Sequence, residues 1–310
     1  MRLLALAIVA ALANAPAFPQ TPTTLASPAP ASLVREGVTE KLTEHVWDIP
    51  DGSAPLVPNI GIVVGSKSVL VVDTGLGPRN GETVLKEVNK VALGKPIYIV
   101  ATHFHPEHDL GAQAFPADAK MIRSKDQETD IKEFGLDLAK MFASRSALNA
   151  DLLKDAQFRP AAVEFDKDYS LDLGGVKAKL IAIGPNHTRG DIAIFIEGDR
   201  VLFSGDVAMR GQPAFASPYS SISHWLASLD VLDALRPVHV VPSHGPRGDA
   251  QIIAGYRTYL TKIRNRAAEL KKAGKTQDET VAAITDEMSG QYPDKGRLAG
   301  AIRNAWAEAK

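Results

Sequence analysis

Five short β-branched or aliphatic runs in this chain each stop on a histidine or an aspartate set beside glycine or serine. Val69–Val72 runs into Asp73-Thr74-Gly75. Ile97–Ala101 runs into Thr102-His103-Phe104-His105-Pro106-Glu107-His108-Asp109. Val176–Ile183 leads to Gly184-Pro185-Asn186-His187, Val201–Phe203 to Ser204-Gly205-Asp206, and Val238–Pro242 to Ser243-His244-Gly245. Any one of these residues alone reads as a turn or cap. Five of them beyond five strands converge on one rim of a sheet, where ligand sites are built. The runs come in two batches. Ile62–Val64 and Val69–Val72 flank Gly65-Ser66-Lys67-Ser68, a hairpin signal. Helical spacing follows at Asn80–Val91 and again over 221–235, while Ile192–Ile196 reads as another strand. Two batches of strands, each with helices, predict an α/β fold of layered αβ/βα architecture.

The segment after Ile97–Ala101 carries three of the eight histidines within six residues. Alternation on extended backbone points His103 and His105 the same way, and the turn at Pro106 brings back Glu107 and His108. A chance surface cluster is the plain alternative, and three histidines on one loop after a buried strand argue against it. The chain has no cysteine, which removes thiol nucleophiles, disulfide frameworks and thiolate metal sites. Imidazoles with carboxylates suit zinc, and also iron or manganese.

In order and strand context these residues resemble the metallo-β-lactamase superfamily, whose motif is His-x-His-x-Asp-His followed by a lone His, a lone Asp and a lone His. The likeness runs from about Val46 to Gly245. It implies a four-layer αβ/βα sandwich and up to two metal ions. By resemblance, His103, His105 and His187 hold the first ion, Glu107, His108 and His244 the second, and Asp206 bridges them. Asp73 matches the family's early aspartate, which supports the metal-site loop; Asp73 and Glu107 are the candidate catalytic residues. Glu107 departs from the family's Asp, and its extra methylene predicts a weaker second site. His45, His224 and His239 match nothing and read as structural.

Two divalent ions about 3.5–4 Å apart activate water and polarise a carbonyl. The expectation is therefore hydrolysis, by a metal-bound hydroxide, of an ester, lactone, thioester or amide. Aspartate at position 206 sets the chain apart from true zinc β-lactamases, which form one alternative reading. A mononuclear iron sulfur dioxygenase and a metal-binding protein without catalysis are the others.

Arg2, the apolar run Leu3–Leu12 and Ala13-Asn14-Ala15 form a secretory signal pattern over 1–15, so the expected location is periplasmic or secreted, with no stable membrane insertion after cleavage. Residues 16–38 read as a Pro/Ala-rich linker, 39–248 as the metallo-β-lactamase-like domain and 249–310 as a helical C-terminal extension. In that extension Ile252, Tyr256, Tyr259, Ile263, Ala267 and Leu270 share one helix face, Thr276 with Glu279 forms a capping box, and Pro293 marks a break. A helical insert over about 124–160, Trp47 to Pro58 and Met209 to Tyr219 are candidate pocket walls. Arg189 and Arg210 are weighed as anion binders, with a structural role the plainer reading. Lys+Arg is 35 against Asp+Glu 36, so charge offers nothing to nucleic acid. The expected partner is a small-molecule substrate; oligomeric state is not legible.

Overall fold

The computed structural model describes residues 31–292 and 295–310. The signal pattern, most of the linker and the break at Pro293 lie outside the described residues. Two sheets form the centre. The first has seven strands in chain order: β1 (Glu40–Lys41), β2 (Val46–Ile49), β3 (Ile60–Val64), β4 (Val69–Val72), β5 (Ile97–Val100), β6 (Lys120–Ser124) and β7 (Val163–Phe165). The second holds β8 (Asp168–Asp172), β9 (Lys177–Ala182), β10 (Ile192–Ile196), β11 (Val201–Gly205) and β12 (His239–Pro242), in the order β12-β11-β10-β9-β8. The helices are α1 (Pro78–Ala92), α2 (Pro106–Asp109), α3 (Lys125–Asp130), α4 (Leu136–Ala143), α5 (Ala147–Leu152), α6 (Ile222–Ala234), α7 (Gln251–Lys272), α8 (Gln277–Met288) and α9 (Lys295–Glu308).

Three apolar cores define four layers. Leu70, Val72 and Val100 of the first sheet meet Ile194, Ile196 and Phe203 of the second. The alternate residues Val69, Val71 and Ile99 turn to Val84 and Val88 of α1. Ala193, Phe195 and Leu202 turn outward to Trp225 and Leu229 of α6 and to Ile253 and Tyr256 of α7. Strands β4 and β10 are therefore buried on both faces, which is why they read as unbroken apolar runs. The architecture is the expected αβ/βα sandwich. The hairpin between β3 and β4 needs its glycine: a Cβ on Gly65 would lie 2.1 Å from the Leu173 carbonyl oxygen.

Helices α7, α8 and α9 complete the fourth layer. Leu298, Ala301, Ile302 and Ala305 of α9 join the core that α6 and α7 share. The Glu308 carboxylate accepts from the backbone N–H groups of Ile222 (2.7 Å) and Ser223 (2.9 Å), capping α6. The Thr276/Glu279 capping box opens α8 as its sequence predicts. Among the described residues, no helix is long and apolar enough to cross a membrane.

The end of the expected linker is corrected. Residues 32–38 are docked on α1 rather than forming a tether. Val34 is buried, the Asn80 side chain accepts from the N–H groups of Leu33 and Val34, and Glu87 accepts from Gly37. Asn80 is itself fully buried, so these backbone donors satisfy its amide oxygen.

Candidate metal centre

Strand direction brings the five ends together. Strands β4 and β5 are parallel. Strand β10 is antiparallel to both β9 and β11, and β12 is parallel to β11, so β9, β11 and β12 share a direction. Asp73 follows β4, His103 to His108 follow β5, His187 follows β9, Asp206 follows β11 and His244 follows β12, all at one edge of the sandwich.

There the potential ligand atoms of three groups of side chains each lie within 4.8 Å of one another: His103, His105 and His187; His103, His108 and Asp206; and Glu107, His108 and His244. Asp206 sits between the outer groups, with Oδ2 3.5 Å from His187 Nε2 and Oδ1 3.9 Å from His244 Nε2. The donor set fits a pair of divalent cations on independent grounds. His103 Nε2, His108 Nε2, Glu107 Oε2 and Asp206 Oδ1 are buried without any hydrogen-bond partner, a costly state for polar atoms that hold nothing. His105 Nδ1 and His187 Nε2 point at each other across 3.1 Å, as two ligands of one ion do.

The opposite ring nitrogens are anchored. His187 Nδ1 donates to the Phe215 carbonyl (2.7 Å) and His244 Nδ1 to that of Val57 (3.0 Å). His108 Nδ1 donates to Asp73 Oδ2 (2.9 Å). Thr102 Oγ1 donates to the same Asp73 oxygen and accepts from His103 Nδ1 (3.1 Å). Each anchor leaves an Nε2 lone pair toward the cleft, the usual outer support of a metal-bound imidazole.

The structure places Asp73 behind His108, with its other oxygen accepting the Thr102 backbone N–H (2.7 Å). Its carboxylate does not enter the cleft, so Asp73 is a positioning residue and not a catalytic one. It holds a positive φ of 64°, a conformation that aspartate and asparagine tolerate better than most residues. Glu107 lies in the second ligand group, buried in α2; its longer arm reaches the site. Just beyond it, Asp109 forms a fully buried ion pair with Arg123 of β6, which ties α2 to the first sheet. Asp191 accepts from the Thr188 N–H and hydroxyl and fixes the loop of His187; burial pushes its carboxyl up to about 7.

Electrostatics divide the histidines. Burial, with neighbouring imidazoles, holds His103 and His105 well below the usual histidine range, and burial takes His187 down to about 4. These three imidazoles are neutral at pH 7, as metal ligands must be. Burial also works against a charge on His108, but Asp73 overrides it and lifts the ring to about 9. Burial disfavours the Asp206 carboxylate too, yet His187 and His244 hold it well below the usual carboxylate range. Burial raises Glu107, with His108 opposing.

The remaining histidines stand apart: His45 pairs with Asp199 (3.0 Å), His224 Nε2 bonds the Ile183 carbonyl (3.1 Å), and His239 opens β12. Arg189 is engaged by Asp130 and Glu133 of the insert, and Arg210 is exposed and does not line the cleft. Two other arginines, which sequence reasoning missed, line the cleft: Arg145, after α4, and Arg297, on α9. Neither sits in a motif, so no local signal marks them. The cleft, of about 250 Å³, is bounded by Leu56, Phe142 and these arginines. It adjoins a chamber of about 340 Å³ walled by Phe104, Phe134, Leu138, Met141, Phe215 and Tyr219. The insert does overhang the site, and of residues 47–58 Leu56 faces it.

Comparison with known proteins agrees with this geometry. Residues 54–244 match the family model of the metallo-beta-lactamase superfamily. A linear primary-alkylsulfatase of Pseudomonas sp. is 25% identical over 288 residues, 79% of this chain and 53% of that protein, so the chain spans about half the relative's length. An acyl-coenzyme A thioesterase of Homo sapiens is 27% identical over 205 residues, 60% of this chain and 72% of its own. Among solved structures, a stereoselective inverting sec-alkylsulfatase from Pseudomonas sp. superposes with a TM-score of 0.67 at 16% identity, covering 86% of this chain and 49% of that one. A metallo-beta-lactamase from Pontibacter korlensis gives 0.53 at 21%, covering 71% and 96%. These two likenesses concern the fold alone.

Proposed function

We propose that this chain, a member of the metallo-β-lactamase superfamily, is an exported metallohydrolase that cleaves an ester, lactone, thioester or amide whose apolar part lies in the chamber beside the candidate metal centre. The observation that carries this reading is the convergence of seven ligand-type side chains from four strand ends on one cleft, with Asp206 between two groups.

In this reading His103, His105 and His187 would hold one cation and Glu107, His108 and His244 the other, with Asp206 placed between the two groups. Bound divalent cations, most simply zinc, supply Lewis acidity and lower the pKa of water toward about 7. The chain does the rest. Asp73, Thr102, Val57 and Phe215 fix the imidazoles, so no reorganisation is needed at reaction. Glu107, within the second donor group, would orient an attacking water through its carboxylate and take its proton. Leu138, Met141 and Phe215, which line both cavities, exclude bulk water and seat an apolar chain. The alkylsulfatase and thioesterase relatives act on chain-bearing substrates by name, which supports an apolar acyl or alkyl group here.

The test is turnover by metal-loaded protein on octanoyl esters and thioesters, lactones, a penicillin and a carbapenem. Ester or thioester efficiency exceeds β-lactam efficiency, and His187→Ala abolishes it with the fold kept. Carbapenem turnover above every ester, or full activity after metal removal, overturns the reading.

A further inference from the structure

The segment between β2 and β3 grips a ligand-type residue that belongs to the other sheet. His244 follows β12 of the second sheet, yet the backbone around it is fixed from the first. Asn59, the residue before β3, makes the central contacts. Its Nδ2 donates to the Pro242 carbonyl and to the Gly245 carbonyl, each at 2.8 Å. Its backbone N–H donates to the Ser243 carbonyl at 2.6 Å. One amide group therefore spans His244, bonded to the residue two before it and to the residue after it. Asp51 completes the grip: its Oδ2 accepts the Gly245 N–H (2.7 Å), and its own N–H donates to Asn59 Oδ1 (2.8 Å). Val57, two residues before Asn59, offers its carbonyl to His244 Nδ1 (3.0 Å). Just past the site, Arg247 pairs with Asp48 of β2. An amide suits position 59 because it brings two donors for two carbonyls and an acceptor for the Asp51 N–H. Asn59 is 6% exposed, so water does not replace a donor lost there.

His244 needs such support more than its neighbours do. The His108 side chain is 0% exposed and is held by the Asp73 carboxylate. The His244 side chain is 15% exposed, and its ring is anchored by a backbone carbonyl of a different segment. Ligand distances in a metal site hold to about 0.2 Å. The placement of 57–59 against 242–245 therefore decides whether His244 Nε2 meets a cation shared with Glu107 and His108. The first group is supported elsewhere, by Thr102 behind His103 and the Phe215 carbonyl behind His187.

We infer that Asn59 is a positioning residue for the second cation: its amide sets His244 against Glu107 and His108, and Asp51 holds the same strand end from the other side. This step rests on the metallohydrolase reading above, and within it on a second cation at Glu107, His108 and His244. The segment 51–59 then governs the second site rather than the first.

Metal binding tests this without any substrate. Zinc is titrated into the apo protein against a chromophoric chelator, which reads two affinities. Asn59→Ser leaves one donor on a shorter arm for two carbonyls. It weakens the second affinity by about tenfold or more and moves the first by less than about twofold. Nitrogen NMR of the same variant shows the His244 ring losing its metal-bound signature at zinc levels where His103 keeps it. Asp51→Ala, at a half-buried turn, removes the acceptor of the Gly245 N–H and leaves Asn59 in place. It shifts the second affinity in the same direction by a smaller factor. Circular dichroism reports whether each variant folds. Where Asn59→Ser folds, its profile decides; where it does not, that of Asp51→Ala does. Equal weakening of both affinities, or an unchanged second affinity, overturns the inference, as does native protein that binds a single zinc. Ester turnover by native protein with one zinc refutes this step and leaves the hydrolase reading standing. Two affinities that respond as stated, with no turnover of any ester, thioester, lactone or amide, do the reverse.

Discussion

Replacing Asp73 with asparagine separates the two metal sites. Asparagine keeps the shape and accepts the left-handed backbone at this position. The Thr102 backbone N–H, 2.7 Å from one carboxylate oxygen, can only donate, so the amide oxygen must stay there. The amide NH2 then takes the place of the oxygen that accepts from His108 Nδ1 at 2.9 Å. Two donors cannot face each other, so the His108 proton moves to Nε2, the atom meant for the second cation. Thr102 escapes this conflict. Its hydroxyl can accept from the new amide, keep accepting from His103 Nδ1, and turn its own proton to Ser243 Oγ, 3.4 Å away. The first site is spared and the second is held in the wrong tautomer. Loss of such an outer partner costs about 10- to 100-fold in metal affinity, or roughly 1.4–2.7 kcal/mol at about 1.4 kcal/mol per decade. The assay is a chelator-competition titration of apo protein with zinc, resolving two affinities, beside nitrogen NMR of the His108 ring. Equal weakening of both sites, or of neither, refutes the tautomer argument.

Glu107→Gln removes one negative ligand at nearly constant shape; second-site affinity and turnover both fall while the first site holds, and unchanged values for both would remove Glu107 from the centre. Arg123→Met strands Asp109 as a buried unpaired charge, since both are 0% exposed; a loss of about 3–5 kcal/mol is expected by urea unfolding, and a loss under about 1 kcal/mol would show that the pair is dispensable. Protein recovered from a periplasm has a mature N-terminus near residue 16 by intact mass, and retention of Met1 would count against export.

The candidate metal centre was legible because its ligand-type residues follow strands directly. A buried strand announces itself by its apolar run, and the first polar residue past it must lie at the sheet's edge. That reasoning located His103, His105, His187, Asp206 and His244 without any contact information. It failed where a strand is not an apolar run. Strand β6 carries Arg123 one residue from its end, buried because Asp109, Glu128 and the Arg159 carbonyl meet it, and β8, Asp-Tyr-Ser-Leu-Asp, is an edge strand with one residue buried. Neither shows a periodicity that names it. The docking of residues 32–38 was hidden for a related reason: it depends on the buried amide of Asn80, a residue that looks like any polar position on α1. Arg145 and Arg297 are hidden more deeply. Arg297 sits in an ordinary helical context and Arg145 on a turn just past α4, and only the packing of these elements against the sandwich brings them to the cleft.

This split between what strands and helices contribute has a functional consequence. His103, Glu107, His108, His187 and Asp206 are between 0% and 6% exposed and are fixed by strand ends. Three apolar side chains of the chamber wall stay partly in solvent, Met141 at 41%, Phe215 at 44% and Tyr219 at 49% exposed. They come from the insert and from the 209–219 loop, which bear on the sandwich without forming its sheets. An exposed apolar lining costs free energy in water unless something covers it, and a substrate chain is the occupant the chamber fits. The insert, that loop and α9 can therefore change in sequence and alter the substrate with little effect on the metal centre, because Phe215 lends only its backbone carbonyl to His187. Chemistry is built into the sheets and selection into the helices, so the fold alone does not name the reaction.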